Sequence, residues 1–255
     1  MPSLQGVLLD VDGVLVSYWQ PLPGAVATLA WLRSRAIPFR LVTNTTQYGQ
    51  ATLAGMLRDA GFDVRDDEVM TATTATAAYL RTHHPGARCF LLATGEARKD
   101  LGELVVVEDD AEVVVVGDAE HDFTFDNLNR AFRMLMGGAT LIAMHRGLFW
   151  QTDDGPCLDV GAFVVGLEEA ARVQAVVAGK PSPAFFGSAL DSLGVPPART
   201  LMVGDDVHSD VNAATELGLA GALVKTGKFR PTDLERLELP AHVLDSVADI
   251  RGLLG

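Results

Sequence analysis

Short apolar runs alternate along the chain with longer segments in which apolar residues recur at helical spacing. Residues 6–11, 39–43, 69–72, 89–93, 112–117, 140–144, 174–178, 200–204 and 220–225 read as strands. Several are apolar without alternation, and 113–116 are four consecutive valines. Such strands bury both faces, as in a parallel sheet covered by helices. Residues 23–35, 47–60, 73–84, 126–136, 162–172, 183–193, 209–217 and 247–254 read as helices, with 95–102 a turn or short helix. Pro23 suits a first helical turn, and Gly61, Gly194 and Gly218 suit helix ends. Residues 147–160, rich in Asp, Gly and Pro, read as a loop.

The expected fold class is therefore α/β, a doubly wound parallel sheet. Residues 80–175 carry their own strands and helices and read as a smaller α/β domain inserted into a main domain of residues 1–79 and 176–255.

Composition narrows the function classes. A chain of 255 residues that is 48% hydrophobic can bury a large core. No apolar run reaches the roughly 18 residues that span a bilayer, and the N-terminus carries no export signal. The expectation is a soluble, cytoplasmic protein. Cys89 and Cys157 form no CxxC pair and are expected to be two buried thiols. A net charge of −13 disfavours nucleic acid and anionic membrane surfaces as partners. A phosphate-binding pocket in so acidic a chain must be made locally, by a metal cation, a lysine or backbone amides.

Candidate chemistry lies at four strand ends. In open α/β sheets, ligands bind beyond the carboxyl ends of the strands. The first strand finishes in Asp10-Val11-Asp12-Gly13, with two acids two residues apart and a glycine that lets the chain turn away. Acids so placed repel unless a cation or a proton intervenes, and oxygen donors favour magnesium. One acid can serve as nucleophile and the other as proton donor. The plain alternative is a capped surface turn. The second strand ends in Thr43-Asn44-Thr45-Thr46, which offers a hydroxyl and an amide to phosphate oxygens or simply caps the next helix.

The third piece is Gly179-Lys180-Pro181-Ser182-Pro183. It lacks the earlier glycine of a Walker loop, and Pro181 replaces Ser or Thr, so an NTP-binding loop is rejected. It places the Lys180 ammonium between a strand and a helix, near the same crevice. The fourth is Gly204-Asp205-Asp206, followed by Asp210. Asp205 meets a metal first. Asp206 ligates directly, through water, or not at all, and Asp210 caps the helix, anchors Lys180 or holds a metal-bound water.

These four motifs in this order resemble those of the haloacid dehalogenase superfamily of phosphotransferases, over nearly the full chain. The block between the threonine and lysine motifs resembles that superfamily's second cap type. Residues 42–46, 179–183, 203–206 and 225–230 are similar to the branch containing phospholysine phosphohistidine inorganic pyrophosphate phosphatase. Vertebrate members of that branch have Ser where this chain has Asp12. The restored pair makes ordinary acid/base help available and weakens transfer of their substrates.

The resemblance implies a magnesium-dependent phosphatase. Asp10 attacks phosphorus to give an aspartyl-phosphate, and Asp12 protonates the leaving oxygen and then activates water. Asp10, the Asp12 backbone carbonyl and Asp205 hold magnesium, with Asp206 and Asp210 behind them. Thr43, Asn44 and Lys180 hold phosphoryl oxygens. It also implies cap-mediated homodimers in some members. The loop from His145 to Trp150 offers an imidazole, a cation and aromatic surface, so His145 is a substrate-binding candidate; the alternative is a solvent-facing loop. The substrate is expected to be a small phosphorylated metabolite or pyrophosphate. A dinucleotide-dependent oxidoreductase is disfavoured, because Asp-x-Asp-Gly stands where Gly-x-Gly-x-x-Gly is needed. A non-catalytic module on the same fold is the principal alternative.

Overall fold

The structure is a computed structural model describing residues 3–93, 95–152 and 155–254, with side chains left aside at 150–152. The chain forms two compact units. The first comprises residues up to Thr43, Gln50–Met70 and Lys180 onward; the second comprises Asn44–Gly49 and Thr71–Gly179. The sequence placed the division near 80 and 175.

The first unit carries a six-stranded sheet in the order His242–Leu244, Ala220–Val224, Thr200–Gly204, Gly6–Asp10, Phe39–Thr43, Val69–Thr71. Pairings from His242 to Thr43 are parallel. Gly6–Asp10 is central and wholly buried, which is why its sequence shows no alternation. Register does the positioning. Asp10 pairs with Val42, and Leu9 pairs with both Leu41 and Val203. The first strand therefore ends beside Thr43 on one flank and Gly204-Asp205 on the other. The helix Pro183–Leu193 begins with Ser182 Oγ accepting from the Ala184 amide at 3.2 Å and ends at Gly194 in the left-handed region. Its Phe185, Phe186 and Ala189 are fully buried.

The second unit carries a five-stranded parallel sheet in the order Val176–Val177, Thr140–Ala143, Val113–Val116, Arg88–Leu92, Val105–Val106. The four valines divide between its faces, as a period of two requires. Val114 and Val116 pack with Ala131, Leu135 and Val164 of the helices Phe125–Met136 and Val160–Ala171. Val113 and Val115 pack with Ala77, Leu80 and Leu101 of the helices Ala72–His83 and Ala97–Leu101.

Four expectations are corrected. The 147–160 loop contains an antiparallel hairpin, Phe149–Thr152 with Gly155–Leu158. Its Phe149 and Leu158 are exposed, so no core-facing alternation marked the strands. Cys157 lies on this hairpin and is exposed, whereas Cys89 is buried; both are free thiols. The expected helix 209–217 is instead a wide turn, Val207–Asn212, running into a short helix, Ala213–Glu216. The terminal helix is likewise a 3-10 segment, Val247–Gly252. Among the described residues no helix is long and apolar enough to cross a membrane.

Candidate active site

The carboxyl ends of two adjacent strands in the first unit, Gly6–Asp10 and Thr200–Gly204, bring Asp10, Asp205 and Asp210 together. One carboxylate oxygen from each lies within 4.8 Å of the others. Asp10 is 7% exposed, Asp205 1% and Asp210 not at all. Lys180, 3% exposed, lies between two of them, with Nζ 2.7 Å from Asp10 Oδ1 and 2.7 Å from Asp210 Oδ1. It also donates to the Val42 carbonyl at 3.3 Å. The ammonium thus faces three acceptors, matching its three N–H groups. Of the roles open to Asp210, the structure shows the anchor for Lys180. Gly204 makes this packing possible, because a Cβ there would collide with the Asp210 side chain.

Asp206 acts differently. Its Oδ1 accepts the amides of His208 and Ser209, each at 2.9 Å, and caps the wide turn. These amides help hold its carboxyl below the usual range against the opposing effect of burial. Thr43 is buried at the end of the strand beside Asp10. Asp12 is exposed and does not join the three-carboxylate group.

The crowding of acids shows in their proton affinities. Burial first, then the Asp10 and Asp210 charges, push Asp205 up to about 8. Burial raises Asp210 to about 7, with Lys180 opposing and Asp10 reinforcing. Loss of hydration and then the Asp10 charge raise Asp12 to about 6, with the Lys228 and Lys180 ammoniums pulling it down. Burial alone would lower Lys180, but Asp10 and Asp210 outweigh it and hold it above its usual value.

A divalent cation suits this site. Asp205 Oδ1 is buried and has no hydrogen-bond partner among the described residues. An orphaned carboxylate oxygen is costly unless a cation meets it. The donors are all oxygen, as a hard cation such as magnesium requires. Five carboxylates (Asp10, Asp12, Asp205, Asp206 and Asp210) against the ammoniums of Lys180 and Lys228 leave an excess of three negative charges.

One part of the site went unassigned in the sequence. The loop after the strand Ala220–Val224 clasps the acidic loop: Thr226 Oγ1 donates to the Gly13 carbonyl at 2.5 Å, and the Lys228 amide donates to Asp205 Oδ2 at 2.7 Å. Gly13, at φ +79°, lies against Gly227 and Asp205, where no Cβ fits. The available signal was positional, since this loop leaves the carboxyl end of the strand next to Thr200–Gly204.

Two candidates belong to the second unit. Asn44 opens its first segment. His145 is buried; its Nδ1 accepts from the Gly147 amide at 3.2 Å, and its Nε2 faces Asp159 Oδ1 at 3.6 Å. Asp159 also caps the helix Val160–Ala171, accepting from the Val160 amide at 2.7 Å. The Trp150 side chain lies outside the described residues.

Comparison with known proteins identifies the family. The profile of the haloacid dehalogenase-like hydrolase family matches residues 7–106, and an HAD-hydrolase-like profile matches 177–250. The chain is 38% identical over 241 residues to human haloacid dehalogenase-like hydrolase domain-containing protein 2, covering 94% of this chain and 92% of that protein. It is 35% identical over 261 residues to mouse phospholysine phosphohistidine inorganic pyrophosphate phosphatase, covering 100% and 95%. Its fold superposes on the crystal structure of 4-nitrophenylphosphatase from Thermotoga maritima with a TM-score of 0.92 at 29% identity, covering 99% and 98%. With its strand-end carboxylates and buried lysine set on the same fold as these proteins, the chain belongs to the haloacid dehalogenase-like hydrolase family.

Proposed function

We propose that this chain is a magnesium-dependent phosphatase that moves a phosphoryl group from a small phosphorylated substrate to Asp10 and then to water. One observation carries the reading: the buried Asp10 carboxylate, fixed by Lys180, sits among acids of which Asp205 keeps an unsatisfied oxygen. The names of the mouse pyrophosphate phosphatase and the Thermotoga 4-nitrophenylphosphatase point to the same class of reaction.

Phosphoryl transfer relies on positioning and charge stabilisation more than on covalent chemistry. Lys180 holds Asp10 in one orientation and cancels part of the repulsion between carboxylate and phosphate. An oxygen of Asp10 forms a bond to phosphorus as the bond to the leaving oxygen breaks. Asp12, with its raised proton affinity and open to solvent, supplies the proton to that oxygen. The Asp12 carboxylate then takes a proton from water, whose oxygen attacks phosphorus and releases Asp10. Thr43 and Asn44 are the proposed donors to phosphoryl oxygens. Lys180 joins them only by giving up the Val42 carbonyl, the longest of its three contacts. Asp10, Asp205 and Asp210 would hold or face magnesium, together with the Asp12 carbonyl. Bound magnesium supplies the positive charge that lets one anion approach another.

In this reading the second unit corresponds to the family's cap type, and His145 is its proposed substrate-binding residue. The two free thiols suit a reducing compartment such as the cytoplasm.

The test is phosphate release from 4-nitrophenyl phosphate by the purified chain. Many turnovers in magnesium and none in excess chelator are expected. Activity that persists in chelator removes the metal from the mechanism. Release of one equivalent and no more favours a phosphorylated binding module.

A further inference from the structure

The chain leaving the strand Phe39–Thr43 changes allegiance at one peptide bond. Thr43, buried beside Asp10, closes the first unit's share of this region, and Asn44–Gly49 belongs to the second unit. The segment forms no helix or strand of its own, so side-chain contacts fix it. Two of them are clamps. The Asp118 amide donates to Thr46 Oγ1 at 3.2 Å, and the Gly49 amide donates to Glu96 Oε2 at 2.9 Å. Asn44 is packed as closely. A Cβ on Gly179 would collide with Asn44 Oδ1 and with the Met144 carbonyl, so only glycine fits there.

The position of the clamps follows from the winding of the second sheet. Numbered along the chain, its strands Arg88–Leu92, Val105–Val106, Val113–Val116, Thr140–Ala143 and Val176–Val177 lie in the order 2-1-3-4-5. In such a sheet the winding reverses between the first and third strands, and ligands bind beyond the carboxyl ends of those two. Leu92 and Val116 pair at these ends. Glu96 follows the first strand by four residues, and Asp118 follows the third by two. Both clamps therefore sit at the switch point. Where a doubly wound sheet of this order receives its ligand, this one receives residues 44–49 of its own chain.

We propose that Thr46 and Glu96 are positioning residues, which hold Asn44–Gly49 on the switch point of the second sheet and so fix the place from which Asn44 meets phosphoryl oxygens. Thr46 is 2% exposed, and Glu96 is engaged with the Gly49 amide and faces Lys99 Nζ at 3.7 Å. Both act through the loop they hold. This inference rests on the phosphatase reading for the role of Asn44. Phosphoryl oxygens are anionic in the substrate as well as in the transition state, so a displaced donor is lost to both. Such a loss raises KM and leaves kcat nearly unchanged.

The test compares four variants of the full chain in magnesium buffer. Thr46→Val keeps the shape of the side chain and removes the acceptor, and Thr46→Ser returns a hydroxyl. Glu96→Ala removes the second clamp, and Glu96→Gln keeps an acceptor oxygen. KM and kcat are measured with 4-nitrophenyl phosphate, and orthophosphate affinity by calorimetry. Thr46→Val and Glu96→Ala are each expected to raise KM and weaken orthophosphate by the same factor, about 5–20-fold, on the scale of one lost hydrogen bond. Their kcat should stay within about threefold, and Thr46→Ser and Glu96→Gln should match the unmodified chain within about threefold. Should Thr46→Val fail to fold, Glu96, with a side chain 31% exposed, decides the matter. The proposal fails if KM and orthophosphate affinity are unchanged, if kcat falls while KM holds, or if the Ser and Gln variants lose as much as Val and Ala. Clamp-dependent orthophosphate binding in a chain that turns over no phosphate ester would overturn the phosphatase reading and leave this assignment standing. Normal turnover with phosphate binding indifferent to both clamps would do the reverse. A chain that neither binds orthophosphate nor turns over overturns both.

Discussion

In the second unit the buried strand Val113–Val116 runs out into Gly117 and Asp118, and its end is tied off by ordinary hydrogen bonds. The Asp118 amide donates to Thr46 Oγ1 at 3.2 Å, and the Glu120 amide donates to Asp118 Oδ1 at 3.1 Å. In the first unit the equally buried strand Gly6–Asp10 runs out into a carboxylate that meets two more carboxylates and a sealed ammonium. Both are parallel sheets covered by helices, built from the same kinds of apolar residue. One end carries a single acid whose carboxylate accepts a backbone amide. The other concentrates negative charge and leaves Asp205 Oδ1 without a partner among the described residues. Folding alone does not reward such a cluster, because buried like charges cost free energy. In the proposed reading, a cation and then a phosphate complete the charge balance of this cluster.

The largest effect that sharpens this comparison is on turnover. Asp10→Asn keeps the shape of the side chain and removes the proposed nucleophile, so kcat with 4-nitrophenyl phosphate should fall by about 10⁴-fold or more. Glu112→Gln, just before the central strand Val113–Val116 of the second sheet, alters an exposed acid paired with Arg88. Its turnover should stay within about threefold of the unmodified chain. Comparable losses in the two variants would break the contrast.

Stability should separate the two regions next. Lys180→Met strands the buried Asp210 and Asp10 carboxylates, so unfolding in chelator at about pH 8 should be easier by about 3–5 kcal/mol. The penalty should shrink at about pH 5, where Asp210 is protonated. Val115→Ala, which opens a small void between Leu91 and Ile142 in the second sheet, should cost about 2 kcal/mol. That cost should not depend on pH. Denaturant unfolding at the two pH values measures both, and a pH-independent penalty for Lys180→Met would count against a charged cluster.

The smallest effect is in the unmodified chain. Asp12, Asp210 and Asp205 are raised from 3.8 to about 6, 7 and 8. The folded state therefore binds more protons than the unfolded state between about pH 4 and pH 8, and stability falls as pH rises through that window. The melting temperature in chelator should drop on the order of 5 °C from about pH 5 to about pH 8. Magnesium should restore it at the upper end, because a ligand of the folded state stabilises that state. A flat or rising melting temperature in chelator would remove the raised carboxylates from the account.

The sequence revealed most where burial was complete. Val113–Val116 and Gly6–Asp10 are covered on both faces, and their unbroken apolar runs predicted parallel strands. Asp10, Asp205 and Lys180 were legible because a charged residue at the end of such a run is out of place unless it is used. The hairpin Phe149–Thr152 and Gly155–Leu158 was not legible, since exposed strands carry no pattern that a core imposes. The separate fates of Asp206, a turn cap, and Asp210, the anchor of Lys180, depend on how the Val207–Asn212 turn winds. Acids four residues apart do not disclose which of them faces inward. Residues 225–230 carried part of the resemblance, but Lys228 was given no role, because its contact to Asp205 runs from its backbone amide and sequence patterns record side chains.

The central claim, that Asp10 is the group phosphorylated, is tested most directly by acid-quenching the chain during turnover of a substrate carrying labelled phosphate and mapping the labelled peptide. The account predicts an acyl phosphate on the peptide containing Asp10, absent from Asp10→Asn. Sustained turnover with no label on that peptide, or with label elsewhere, would contradict it.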